Sequence, residues 1–422
     1  MTHLKTQFMK INYGIIKSYI FLFSILVLLS GCQPKKATQN QTPYLIMLSM
    51  DGFRWDYTDM HDTPNFDRIA EKGVKAASMQ ACFPTKTFPN HYSIVTGLYP
   101  DHHGLVNNNF YAPDLDLTYK ISDRHMVENA SFYGGEPIWV AAEKQNLTTA
   151  SFFWVGSEAP IGGIYPTYLK TYEHEFPFEQ RLDTVIAWLQ LPEEMRPHLI
   201  TWYVDEPDSH GHELGPLNPE LGKTIVSLDS LLGLFLQKIE TLPIADELNI
   251  IITSDHGMGS TSSERRINLS KYVDPEWFLH IAGGNPIFNL TAKPEFYNIA
   301  WESLNIIPNM QSWKKGEVHL RYNYGNNPRV GDFILLADSS WSISFRESNS
   351  SYTGGTHGYD NQNTDMHAIF YAYGPAFRKN YVHPGFDNID IYPLICEILD
   401  IEPAPVDGKL EHVIELLESK SE

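Results

Sequence analysis

Five short runs rich in β-branched, aliphatic and aromatic residues, at 44–50, 149–155, 198–204, 248–254 and 367–373, alternate with longer segments whose apolar residues recur at helical spacing. Continuous apolar runs of strand length are buried on both faces. The pattern therefore predicts an α/β fold, with a mostly parallel central sheet and helices on both of its faces. The helical segments fall at 63–72, 137–144, 177–189, 219–241 and 389–399. In open parallel sheets, ligands gather beyond the carboxyl ends of the strands, so the residues that directly follow each run carry the functional argument. Residues 257–356 are rich in Asn, Tyr and Trp and alternate less regularly; they are read as a smaller α+β insertion within one domain spanning 43–422.

The charge balance excludes one class of partner. With 31 Lys and Arg against 51 Asp and Glu, the 422-residue chain has a formal net charge of −20. A duplex nucleic-acid binder needs a basic face, and this chain is not one. An anionic substrate must then meet local positive charge.

Residues 1–31 contain Lys5, Lys10 and Lys17, no acid, and an apolar stretch at 19–29. That stretch falls short of the roughly 20 residues that span a bilayer and suits a signal-peptide core. Leu29-Ser30-Gly31-Cys32 resembles a bacterial lipobox, which implies cleavage before Cys32 and lipid attachment to its sulfur. Residues 32–42 are polar and read as a flexible tether. The expectation is an exported envelope lipoprotein that meets the membrane through its N-terminal lipid only. The two other cysteines, Cys82 and Cys396, sit among apolar neighbours and read as core residues.

Three of the five runs lead quickly to metal-capable residues. Asp51-Gly52 follows the first, Asp205 to His212 the third and Asp255-His256-Gly257 the fourth; His357-Gly358 lies shortly before the fifth. Singly, an aspartate after a strand is most often a turn or cap residue. The spacing of Asp208 and His212 is more telling: four residues apart on a helix, both face one side, and His210 faces another. Imidazole and carboxylate donors without thiolate suit zinc, with manganese or iron also compatible, and six such groups suffice for two ions. In Lys86-Thr87-Phe88-Pro89-Asn90-His91-Tyr92, Thr87 precedes a helical stretch with Pro89 in its first turn. Its hydroxyl is placed either to cap the helix or to attack an anion held by free backbone N–H groups.

These segments together resemble the nucleotide pyrophosphatase/phosphodiesterase family of the alkaline phosphatase superfamily. The motifs are Asp51-Gly52-Phe53-Arg54, Lys86 through Pro100, Glu206-Pro207-Asp208 with Gly211-His212, Ser254 through Met258, and His357-Gly358, in the family's order between residues 43 and 405. The resemblance implies an alkaline-phosphatase-like fold and two Zn²⁺ ions. One is held by Asp208, His212 and His357; the other by Asp51, Asp255, His256 and the oxygen of Thr87, the nucleophile. Asn108 matches the asparagine that hydrogen-bonds a phosphoryl oxygen. Phe88 and Tyr172 match aromatic groups that sandwich a nucleobase, and Tyr203 lies where it lines the same pocket. The implied reaction is hydrolysis of a nucleotide phosphodiester or pyrophosphate through a phosphothreonine, with release of a nucleoside 5′-monophosphate. Two alternatives are a phosphomonoesterase of the same superfamily and a phosphodiesterase of choline lysophospholipids. The first is disfavoured because 151–164 contains no paired Lys or Arg for a monoester's additional charge.

Overall fold

The computed structural model describes residues 42–346 and 353–419. The expected leader, Cys32 and nearly all of the tether lie outside these residues. Eight strands form the main sheet: β1 (Tyr44–Met50), β2 (Val74–Ala76), β3 (Thr149–Phe152), β4 (Tyr168–Lys170), β5 (Leu199–Val204), β6 (Leu248–Thr253), β7 (Phe370–Tyr373) and β8 (Tyr381–His383). Their order is β8-β2-β7-β6-β1-β5-β3-β4. β1 lies between β5 and β6 and is parallel to both, with Ser49 opposite Tyr203 on one side and Thr253 on the other. β7 instead runs antiparallel to β6 and β2. β2, β4 and β8, each three residues long, are the strands that the apolar runs did not announce. They are too short for periodicity to register.

The principal helices are α1 (Pro64–Lys72), α2 (Thr87–Thr96), α3 (Ile138–Lys144), α4 (Phe178–Leu189), α5 (Asp208–Leu214), α6 (Pro219–Ile239) and α7 (Ile391–Leu399). Alternation along β1 divides the core in two. Leu45 and Met47 pack with α2, α3 and α7 on one face. Tyr44, Ile46, Leu48 and Met50 pack with α1, α4 and α6 on the other. Both faces are thus covered, which explains why β1 is buried along its whole length. Cys82 and Cys396 are buried free thiols, as read from their neighbours.

A second sheet, antiparallel throughout, joins Phe278–Gly284, Ile287–Ala292, Phe333–Ala337 and Met310–Lys314 in that spatial order. Leu290, Phe333 and Leu335 point into a third core. Ile287, Ile334 and Leu336 point the other way, into the core beneath α2. Period-two alternation therefore fastens this sheet to the main one. Among the described residues no helix is long and apolar enough to cross a membrane.

The start of α1 is capped from a distance. Thr63 makes no side-chain cap, and the carboxylate of Asp229 on α6 accepts hydrogen bonds from the Asn65 and Phe66 N–H groups (3.0 Å each) and from Asn65 Nδ2 (2.8 Å). Asp229→Ala leaves the Asn65 and Phe66 N–H groups without that acceptor, while Asn65 Nδ2 keeps the residue 229 carbonyl at 3.1 Å, and is expected to destabilise the fold by about 2 kcal/mol, measured by urea denaturation.

Candidate active site

The strand register brings the site together. Asp51 and Asp255 stand two residues past paired positions on β1 and β6, and α5 begins four residues beyond the end of β5. Asp51 N–H donates to Val204 O at 2.8 Å, and Gly52 N–H donates to Asp255 Oδ1 at 3.1 Å. On α5 the i, i+4 pair closes as expected, with His212 Nε2 3.4 Å from Asp208 Oδ2. His210 points away, toward Glu206 at 3.0 Å. His357 Nε2 lies 3.7 Å from Asp208 Oδ1, and the rings of His256 and His357 stack with centroids 3.5 Å apart.

Gly52 makes this convergence possible. Its φ of +67° lies in the left-handed region, and a Cβ there would stand 2.9 Å from Asp208 Cβ and Oδ1. Gly52→Ala is expected to displace Asp208 and lower turnover at least about tenfold, with a stability cost of about 1–2 kcal/mol from the backbone alone. Parallel activity assays and thermal melts would check both effects.

Each imidazole is aimed by its outer nitrogen. His212 Nδ1 faces Gly355 O at 2.9 Å, His256 Nδ1 faces Gly257 O at 2.8 Å and His357 Nδ1 faces Thr85 O at 2.8 Å. A carbonyl can only accept, so each Nδ1 carries a proton and each Nε2 faces the site. Three carboxylate oxygens there, Asp51 Oδ1, Asp208 Oδ1 and Asp255 Oδ2, are buried without a hydrogen bond.

The electrostatics show what is missing. Burial, reinforced by Asp255 and Asp208, pushes the Asp51 carboxyl well above its usual range. Burial also raises Asp208. Burial opposes ionisation of Asp255 as well, yet His256 and His91 hold it well below the ordinary value. Burial and the neighbouring His256, Lys86 and His212 push His357 well below the usual imidazole range. The buried Asp51 and Asp208 carboxylates, each with one oxygen that accepts no hydrogen bond, are the kind of group that a bound cation stabilises. The ligand atoms of Asp208, His212 and His357 lie within 4.8 Å of one another, as do those of Asp51, Asp208 and His256 and those of Asp51, His91 and Asp255. Nitrogen and oxygen donors so arranged fit metal binding.

Thr87 sits at the mouth of this cluster, its Oγ1 3.2 Å from His256 Nε2. Its reading as a helix cap is corrected: Thr87 is the first residue of α2, and Lys86, with no side-chain cap, occupies the preceding position. The N–H of Phe88 is not free for an anion either. It donates to Asn108 Oδ1 at 3.0 Å, which anchors Asn108 and leaves its amide hydrogens for another acceptor. Asn107, by contrast, is buried and accepts from the Asn108 N–H at 2.8 Å. Lys86 Nζ donates to His357 O at 2.8 Å and Asn285 O at 2.7 Å, and burial pushes the amine down to about 8.

The aromatic residues divide. Phe88 is partly buried, with Tyr119 edge-on at 6.3 Å. Tyr172 is 36% exposed, with Tyr203 at 6.2 Å. Tyr203 also has a role that its sequence did not announce: its hydroxyl donates to Asp51 Oδ2 at 2.7 Å. His91 was missed as a site residue. Its Nδ1 lies 3.1 Å from Thr87 O and 3.3 Å from Asp255 Oδ2, and its Nε2 is 2.9 Å from Ser49 Oγ. The available signal was its position one helical turn after Thr87.

The family profile described as type I phosphodiesterase / nucleotide pyrophosphatase matches residues 45–360. The chain belongs to this family. It is 37% identical to a venom phosphodiesterase of Crotalus durissus collilineatus over 400 residues, covering 91% of this chain and 48% of that protein. To ectonucleotide pyrophosphatase/phosphodiesterase family member 3 of Mus musculus it is 36% identical over 401 residues, covering 91% and 45%. It thus spans about half the length of the curated relatives it matches. Human ectonucleotide pyrophosphatase/phosphodiesterase 5 superposes with a TM-score of 0.86 at 35% identity, over 89% of this chain and all of that one. An inactive threonine-to-alanine form of the murine counterpart, in complex with AMP, gives the same TM-score at 32% identity, again over 89% of this chain and all of that one. The alkaline-phosphatase-like fold implied by the motifs is the one this type I phosphodiesterase family member adopts.

Proposed function

We propose that the protein is an exported zinc-dependent hydrolase that cleaves nucleotide phosphodiester or pyrophosphate bonds through a phosphothreonine at Thr87 and releases a nucleoside 5′-monophosphate. The observation that carries this reading is the placement of the Thr87 hydroxyl beside a cluster of buried carboxylates and imidazole Nε2 atoms. Asp208, His212 and His357 would hold one ion, and Asp51, Asp255, His256 and the Thr87 oxygen the other. Bound there, such a pair supplies Lewis-acid stabilisation to attacking and leaving oxygens.

The chain's own residues do the rest. Thr87 Oγ attacks phosphorus in line; the new O–P bond forms as the bond to the leaving oxygen breaks with its electron pair, and the threonine proton goes to water. Water then hydrolyses the phosphothreonine. The Asn108 amide donates to a phosphoryl oxygen as charge spreads over it. Tyr203 orients Asp51, and His91 orients Asp255 and the first turn of α2. Phe88 and Tyr172 offer stacking faces for a base, worth about 1–3 kcal/mol per stacked base. AMP in the complex of the murine relative is a nucleoside monophosphate of the class this reaction releases. The names of the venom and ectonucleotide relatives agree with export, and Cys32 would supply the membrane tether.

Diesters are the expected substrates because Lys86, the cation adjacent to the nucleophile, is engaged by two backbone carbonyls and is not presented to a monoester's additional charge. The zinc-loaded protein should hydrolyse bis(4-nitrophenyl) phosphate faster than 4-nitrophenyl phosphate by at least about 10²-fold in kcat/KM, or about 2.7 kcal/mol. Preference for the monoester would overturn the assignment. Turnover confined to choline lysophospholipids would replace the nucleotide with a lipid substrate.

A further inference from the structure

The hairpin that joins Phe278–Gly284 to Ile287–Ala292 in the second sheet reaches both flanks of the nucleophile. On one side, Asn285 O accepts from the Nζ of Lys86, the residue before Thr87, at 2.7 Å. On the other, Gly283 approaches Asn107 so closely that a Cβ at position 283 would stand 2.8 Å from Asn107 Nδ2. Gly283 holds φ at +83°, a left-handed conformation open to glycine without steric cost, and the strand comes this near for that reason. A second grip lies on the same sheet. Asn289 Nδ2 donates to Tyr324 Oη at 2.8 Å, and Tyr324 Oη donates to Val106 O at 3.0 Å. Residues 106 and 107 are thus held from the insertion at two points.

What those two residues carry is Asn108. Its backbone N–H donates to Asn107 Oδ1 at 2.8 Å, and its side-chain Oδ1 accepts from the Phe88 N–H at 3.0 Å. Both ends of Asn108 are therefore fixed, the backbone by Asn107 and the side chain by the first turn of α2, and the amide hydrogens are left to meet a ligand. Asn107, Asn289 and Tyr324 are all buried. A buried chain of this kind holds its members firmly, because every bond that opens leaves a polar atom without a partner or water.

We propose that the second sheet is a positioning element for the reaction: through Gly283, Asn289 and Tyr324 it holds residues 106 and 107, and Asn107 is the positioning residue that sets the orientation of the Asn108 amide. The proposal rests on the function proposed above, in which that amide donates to a phosphoryl oxygen. A donor stabilises developing charge only when it is already aimed at it, and a misplacement of about 1 Å caused from outside the site can cost about 10²-fold in rate. Asn107 and Tyr324 therefore act on kcat through Asn108, with little effect on the binding of the ground state.

A double-mutant cycle in the zinc-loaded protein tests this, read with bis(4-nitrophenyl) phosphate. Asn107→Leu keeps the volume and removes the acceptor; it is expected to lower kcat at least about tenfold while KM changes by less than about twofold. Tyr324→Phe deletes one hydroxyl and should lower kcat about fivefold, and it carries the same cycle where Asn107→Leu fails to fold. In an Asn108→Ala background each substitution should lower kcat by less than about twofold, since the donor through which it acts is gone. Losses of equal size in both backgrounds would make the sheet a general support of the fold and overturn the proposal, as would unchanged kcat in both single variants. Unchanged kcat in Asn108→Ala alone would remove Asn108 from the mechanism, and absence of turnover in the unaltered protein would overturn the hydrolase assignment. Either result overturns the proposal too, and neither resembles the equal losses that overturn it by itself.

Discussion

Thr87→Ala is expected to lower phosphodiester turnover by at least about 10³-fold while the protein keeps its fold and its zinc. The reason lies in how little else the hydroxyl does. The hydrogen-bond partner of Thr87 Oγ1 is His256 Nε2, and α2 begins without any side-chain cap, so the variant loses neither a cap nor a core contact. A stability change within about 0.5 kcal/mol follows. Steady-state kinetics on a nucleotide aryl diester, with metal content by plasma mass spectrometry and a thermal melt on the same sample, separate the three quantities. Near-normal turnover would remove threonine from the mechanism. Loss of metal together with turnover would make Thr87 a structural residue of the site.

Asp208→Ala is the second large effect. Asp208 faces His212 through Oδ2 and His357 through Oδ1, and the latter oxygen is buried without a hydrogen bond. Removing it takes away the only carboxylate that the Asp208–His212–His357 group contains. The variant should bind one zinc per chain in place of two and lose at least about 10²-fold in kcat, because one oxygen of the displacement is then left uncompensated. Chelation of the unaltered protein should give a comparable loss that added zinc reverses. Full zinc content with normal kcat in Asp208→Ala would break the two-ion assignment.

Most of the metal-capable residues were legible because they sit where a long strand has just ended or a helix repeats. Asp51 and Asp255 follow apolar runs that end at one sheet edge, and Asp208 and His212 carry helical spacing within a single segment. His91 was harder to see. One turn after Thr87, it lies within a helix that reads from sequence as core, and its contacts with Ser49 and Asp255 span 42 and 164 positions. Tyr203 had a strand pattern that explained it fully, so nothing in its neighbours announced the hydrogen bond to Asp51. The cap reading of Thr87 went astray by one position because Lys86 holds an extended backbone and its side chain is drawn away by two distant carbonyls.

Local chemistry along the chain determined that this is an α/β protein with metal-capable residues and a threonine hydroxyl at the start of a helix. Strand length, helical repeat and donor type are properties of neighbouring residues, and no distant partner is needed to read them. Tertiary structure alone decided the antiparallel placement of β7, the capping of α1 by Asp229, the hydrogen bond from Tyr203 to Asp51, and the placement of His91 beside Asp255. Each depends on residues far apart in sequence meeting at a few ångströms, and no periodicity encodes such a meeting. It is settled by how the sheets and helices bury their apolar faces against one another.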